Sequence, residues 1–259
     1  MILKIRGLEF SYPGTPILKN VDFELQKGQI LAVLGINGAG KTTLLKCINR
    51  ILPPRAGRVF LNQDDVKSMR RNQIAMRFAY VPQRFDEEPL TVFDAVLLGR
   101  KPYIRWEAAA HDLEIVEAIL TRLDIEHLAL RLTSHLSGGE LQKVMIARAM
   151  AQEPEVLLLD EPTSNLDMKN QLSVMQLLEK AVREHDMAAI VSLHDINLAF
   201  RFADHFLMLR EGSVHLLAPR EKVTDQDIAC VYGVTVRLHE IDGCRMVIPK
   251  NESLWRKDA

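Results

Sequence analysis

Apolar positions alternate with polar ones over residues 2–10 and 21–25, which predicts strands of an antiparallel sheet with one wet face. Residues 30–34, 156–160 and 188–193 are short apolar runs instead, suited to strands covered on both faces. Between these runs, apolar residues recur three and four apart: Leu44, Leu45, Ile48 and Ile51; Leu113, Val116, Leu120 and Leu123; Leu141, Val144 and Met145; Leu172, Met175, Leu178 and Val182. That spacing predicts helices. Strands alternating with helices predict an α/β fold built on a parallel sheet, with an antiparallel β subdomain at its start.

Residues 84–153 break the alternation. They carry several helical patterns and no clear strand, so they read as a helical subdomain inserted into the α/β core. Glu211-Gly212 marks a hairpin near the end of that core, and Asp242-Gly243, between RLHEI and CRMVIP, marks another. The expected division is a domain over 1–223 and a small C-terminal appendage with a β hairpin over 224–259.

Composition narrows the partners. The 33 basic and 34 acidic residues nearly cancel and form no long like-charged block, so nucleic acid is not an expected ligand. Three cysteines, Cys47, Cys230 and Cys244, stand far apart with no CxxC and no Cys/His cluster, the pattern of a reducing compartment with cysteines serving as small buried residues. The start MILKIRGLEF has no secretory pattern, and no apolar run approaches the roughly 18 residues a bilayer requires. A cytoplasmic chain is the expectation; if it serves a membrane, another polypeptide crosses it.

Three motifs carry chemistry. Gly35-Ile36-Asn37-Gly38-Ala39-Gly40-Lys41-Thr42 fits the phosphate-loop pattern, after an apolar strand and before a helix. There backbone N–H groups and the helix N-terminus turn onto phosphate, Lys41 reaches the β- and γ-phosphates, and the Thr42 hydroxyl can hold Mg²⁺. Gly35, Asn37, Gly38, Ala39, Gly40, Lys41, Thr42 and Thr43 are therefore candidate ATP contacts. Val156–Leu159 runs into Asp160-Glu161, and a buried strand ending in two acids suits a cation. Asp160 is the candidate Mg²⁺ ligand, and Glu161, pointing differently, the candidate general base. Leu136-Ser137-Gly138-Gly139-Glu140 opens the helix patterned on Leu141, Val144 and Met145; Ser137 and Glu140 fit a capping box, and the exposed N–H groups of this turn form a second anion site.

With these three motifs in this order, the sequence resembles an ABC transporter ATPase, whose signature is LSGGQ or a close relative. The resemblance runs through nearly the whole chain. It implies that Ser137, Gly138, Gly139 and Glu140 of one subunit close over ATP held in the loop of another, giving a head-to-tail dimer with two sandwiched nucleotides. It implies adenine stacking on Tyr12, a Q-loop glutamine at Gln83 that senses Mg²⁺ and the γ-phosphate, a D-loop at Ser164-Asn165-Leu166-Asp167, and a switch histidine at His194 that contacts the γ-phosphate. Two positions depart from the commonest pattern: Asn165 where Ala is usual, and Glu140 where Gln is.

The stretch Thr91–Tyr103, TVFDAVLLGRKPY, is similar to ATPases of bacterial importers for iron-siderophores, haem and cobalamin, and Val231-Tyr232-Gly233-Val234 with Val247-Ile248-Pro249 resembles the same group. This similarity implies integral-membrane permease subunits as partners, an extracytoplasmic substrate-binding protein acting through them, and a place on the inner face of the membrane. Arg100, Lys101 and Arg105 are expected to face solvent or the permease. Non-transport ABC ATPases fit less well. Those of DNA repair split the motifs with a long coiled coil, whereas about 95 residues separate Lys41 from Ser137; translation factors carry two motif sets, and this chain has one. A small-molecule kinase leaves LSGGE unexplained.

Overall fold

The computed structural model describes residues 1–85 and 89–250, so 86–88 of the helical insert and 251–259 of the C-terminal appendage lie outside the described residues. The chain opens on β1 (Leu3–Tyr12) and β2 (Thr15–Leu25), a hairpin whose alternating side chains bury Leu3, Ile5, Leu8, Val21 and Phe23. The apolar run β3 (Ile30–Leu34) follows, then the phosphate loop and α1 (Lys41–Ile48). Ile51, expected on the helix, lies beyond its end and is exposed.

The next segment was not foreseen from the pattern: β4 (Ala56–Leu61), the two-residue β5 (Asp64–Asp65), α2 (Arg71–Arg77) and β6 (Phe78–Val81). β4 is exposed over its first half, buries Val59 and Leu61 in its second, and is held by antiparallel pairing with the distant β1. The helical insert holds α3 (Val92–Leu97), α4 (Ala110–Arg122) and α5 (Gly138–Ala151). The core resumes with β7 (Val156–Asp160), α6 (Met168–Glu184), β8 (Ala188–Ser192), α7 (Ile196–Phe202), β9 (His205–Arg210) and β10 (Ser213–Pro219). It closes with α8 (Asp225–Tyr232), β11 (Val236–Ile241) and β12 (Cys244–Pro249).

The main sheet runs β10-β9-β3-β8-β7-β6; β3, β6, β7, β8 and β9 are parallel and β10 turns back on β9 through Glu211-Gly212. β2-β1-β4-β5 form the antiparallel subdomain, and β11-β12 a separate hairpin. The parallel strands β3, β7 and β8 are buried at every residue because helices cover one face and the antiparallel sheet with α1 the other. This stacking aligns the C-terminal ends of β3, β7 and β8, which is where an open parallel sheet presents its ligand. The C-terminal segment shares the core: Ile228, Val231, Val236 and Val247 pack into the same apolar cluster as α5 and α6.

Two expectations are corrected here. Arg100 faces neither solvent nor a partner: it is 3% exposed, donating from Nε to Asp112 (2.9 Å) and from Nη1 to Glu153 (2.6 Å) and the Ala151 carbonyl (2.8 Å), with Tyr103 stacked 4.1 Å away. Gly99 beside it is needed for the same packing, since a β-carbon there would stand 2.1 Å from the Arg148 carbonyl. So much of the GRKPY stretch is an internal clasp between the turn after α3, α4 and the end of α5. The cysteines also differ from expectation: Cys47 is buried, its thiol pushed up to about 12 by desolvation, but Cys230 is half-buried and Cys244 exposed.

Candidate functional site

The phosphate loop wraps the space above β3. Gly40 has φ +102°, and a β-carbon would stand 2.9 Å from Leu18, so only glycine fits this bend into α1. No side chain caps α1, leaving its first N–H groups free for an anion. Lys41 lies folded into the loop, its Nζ donating to the carbonyls of Gly35 (2.9 Å) and Ile36 (3.4 Å). Burial pulls its ammonium down while Glu161 and Asp160 partly restore it. A phosphate placed here would supply this buried cation with the counter-charge that the carbonyls lack.

Asp160, 2% exposed at the end of β7, accepts from Thr42 Oγ1 (3.0 Å), Ser192 Oγ (2.8 Å) and Tyr80 OH (3.2 Å). Desolvation by burial and the carboxylate together raise the Tyr80 hydroxyl, keeping it a donor. Ser192 at the end of β8 also accepts from the Glu161 amide (2.9 Å), so one hydroxyl ties the two acids together. Neither Tyr80 nor Ser192 was singled out from the sequence; the available signal was a lone hydroxyl closing the apolar run AAIVS, two residues before His194. Glu161 takes a left-handed backbone, φ +50°, which turns its side chain away from that of Asp160. Its carboxylate lies 2.5 Å from His194 Nε2 and also accepts from Gln83 Nε2. Lys41, Thr42, Gln83, Asp160, Glu161 and His194 thus converge, joined by hydrogen bonds or charge.

Tyr12 ends β1, half exposed, edge-on to Phe10 with ring centroids 4.9 Å apart. Ser137 is not part of this convergence. It caps α5, with the Glu140 carboxylate accepting from both its amide (2.8 Å) and its hydroxyl (2.7 Å). Asn165 has φ +63°, a conformation that Asn tolerates and Ala does not favour, which accounts for one departure from the usual motif. The Ser164 hydroxyl donates to the Glu161 carbonyl (2.9 Å), linking that turn to the acid.

A strand-end acid pair, a lysine-bearing glycine loop and a separate serine-capped helix occur together here, and residues 18–164 match the family described as ABC transporter. The chain belongs to the ABC transporter family. It is 48% identical over 96% of its length to an uncharacterized ABC transporter ATP-binding protein of Methanocaldococcus jannaschii, covering 98% of that protein. It is 38% identical to the achromobactin transport ATP-binding protein of Dickeya dadantii (90% of this chain, 88% of the relative) and 35% identical to the phosphonates import ATP-binding protein of Alcaligenes faecalis (90% and 88%). Among solved structures it resembles a chain of an inward-facing transporter described as of metal-chelate type, with TM-score 0.84, 29% identity and coverage of 97% of this chain and 98% of that one. A dimeric bacterial ABC transporter cassette is also similar, with TM-score 0.75 and 29% identity over 85% of this chain and 99% of that one. The protein is an ABC ATPase, a transporter subunit that binds and hydrolyses ATP. No helix among the described residues is long and apolar enough to cross a membrane.

Proposed function

We propose that this ABC ATPase energises import of a metal chelate, an iron-siderophore, haem or a corrinoid, working as a head-to-tail pair beneath integral-membrane permease subunits. The likeness that carries the reading is the full-length match to the metal-chelate type transporter chain, which extends through α8 and the β11-β12 hairpin rather than stopping at the ATPase core. The achromobactin relative supports it. The phosphonate relative makes an oxyanion importer the second reading.

Chemistry follows from the residues. ATP takes the Lys41 ammonium from the loop carbonyls, and α1 offers its N–H groups to the phosphates. Thr42 Oγ1 and Asp160 Oδ1, two hard oxygens 3.0 Å apart, suit Mg²⁺, with Gln83 close by on Glu161. Bound there, Mg²⁺ would offset charge on the β- and γ-phosphate oxygens. Glu161 orients the attacking water and draws its proton, while His194, whose Nε2 lies against Glu161, would turn that nitrogen from Glu161 to the γ-phosphate when ATP arrives. Ser137 stands apart from these groups, so we assign it to the partner's nucleotide, as in the sandwich. Repulsion between the products then separates the pair.

Beyond Gln83 a groove of about 880 Å³ opens, lined among others by Tyr80, Arg84, Phe85, Lys101 and Pro102. Here a permease helix would read the nucleotide state through Gln83. Because Arg100 is internal, the surface test uses Lys101→Glu with Arg105→Glu, both exposed. The pair of changes should lower transport while leaving ATP binding intact. The reading itself is tested by ATP-dependent uptake in vesicles holding the native permease, against metal chelates, oxyanions, amino acids and sugars. Uptake of a chelate is expected; uptake of phosphonate or another non-chelate alone would overturn it.

Replacing Tyr12 with Ala should weaken ATP binding by about 1–3 kcal/mol, the size of a base–aromatic stack. The Michaelis constant should rise more than the turnover number falls. An unchanged ATP affinity on titration would assign Tyr12 to packing on Phe10.

A further inference from the structure

The second departure from the usual signature, Glu140, has a consequence for assembly. One carboxylate oxygen, Oε2, accepts from both the Ser137 amide (2.8 Å) and the Ser137 hydroxyl (2.7 Å). Those hydrogen bonds hold the Glu140 carboxyl below its ordinary range, so it is an anion at neutral pH. A serine hydroxyl can donate one hydrogen bond, and here it is given to Glu140 Oε2.

We propose that Glu140 competes with the partner's γ-phosphate for Ser137, so that the signature weakens the ATP-bound pair instead of only gripping nucleotide. The inference rests on the sandwich reading above. For Ser137 to hold a γ-phosphate, its hydroxyl must leave Glu140, and the carboxylate is then left a few ångströms from a doubly charged group. Like charges at that range repel appreciably even in a partly hydrated seam. Each sandwich contains two such sites, so the opposition counts twice. A glutamine at 140 keeps the capping box, because its carbonyl oxygen accepts from the Ser137 amide, yet it carries no charge and can offer an N–H to the phosphate. Glu140 is thus a positioning residue that sets the lifetime of the closed pair through Ser137.

The test compares the slow-hydrolysing Glu161→Gln protein with Glu161→Gln/Glu140→Gln and Glu161→Gln/Glu140→Ala, measuring the ATP-dependent monomer–dimer constant by sedimentation over a range of salt. Removing the charge should tighten the pair at least about tenfold in both double variants. Raising salt should narrow the gap, since screening weakens repulsion, whereas a purely structural cap would give no such salt dependence. Glu140→Ala also loses its cap and should melt lower, which separates stability from assembly because only the glutamine variant keeps the wild-type melting temperature. Equal dimer constants with and without the Glu140 charge would overturn the proposal while leaving the sandwich in place. Absence of ATP-dependent pairs in all three proteins would overturn both.

Discussion

Purified Glu161→Gln protein should bind ATP nearly as the wild type does while its turnover falls about 10²-fold or more. The substitution keeps the shape of the side chain and one of its two acceptor oxygens, so Gln83 can still donate to that oxygen, while the new NH2 faces His194 Nε2, which accepts from it when the ring is neutral and protonated on Nδ1. What disappears is the basicity that draws a proton from water. Because the Ser192 hydroxyl holds the Glu161 amide and not its carboxylate, the backbone that turns this side chain away from Asp160 is unaffected. The variant should therefore melt near the wild-type temperature, and a steady-state rate within a few-fold of wild type would remove Glu161 from the role of base.

Arg100→Ala should cost about 3 kcal/mol or more of folding stability, the scale for stripping one partner from a buried ion pair. Asp112, 7% exposed, would be left without its counter-charge, and the Ala151 carbonyl without its donor. The guanidinium holds the Asp112 carboxyl below the ordinary carboxylate range, chiefly by hydrogen bonding. A depressed acid stabilises the fold fully above its unfolded pKa and loses that contribution as pH falls through the lowered native value. Denaturant titrations should accordingly show the variant far less stable at pH 7, with the gap to wild type closing at strongly acid pH. A loss under 1 kcal/mol at pH 7 would show the clasp to be dispensable. Lys at this position should rescue only in part, because an ammonium cannot reproduce the forked donation to Asp112, Glu153 and Ala151.

The contrast between these two residues shows what the sequence could carry. Local pattern sufficed where a motif and its element coincide: the apolar runs over 30–34, 156–160 and 188–193 became β3, β7 and β8, and Ser137 with Glu140 became the cap of α5. Side chains whose setting depends on distant segments were not readable. Arg100 in GRKPY looks like a surface residue until α4 and the end of α5 supply Asp112 and Glu153. Ser192 looks like a polar strand end until β7 places Asp160 beside it. β4 gives little apolar pattern because its first half, Ala56-Gly57-Arg58, is exposed and only Val59 and Leu61 are buried, and its partner β1 lies some fifty residues earlier. The convergence of Gln83, Glu161 and His194 needed the sheet pairing as well, since β6, β7 and β8 are separated along the chain by helical segments and lie side by side only in the folded sheet.

The central claim is that each ATP is hydrolysed in a site shared between two copies of this chain. Complementation tests it: Ser137→Ala and Lys41→Ala proteins, each of low activity alone, are mixed and assayed for ATP hydrolysis. A shared site predicts recovery, because the mixed pair joins an intact Lys41 from one chain to an intact Ser137 from the other. A mixture no more active than the sum of its two components would contradict the account.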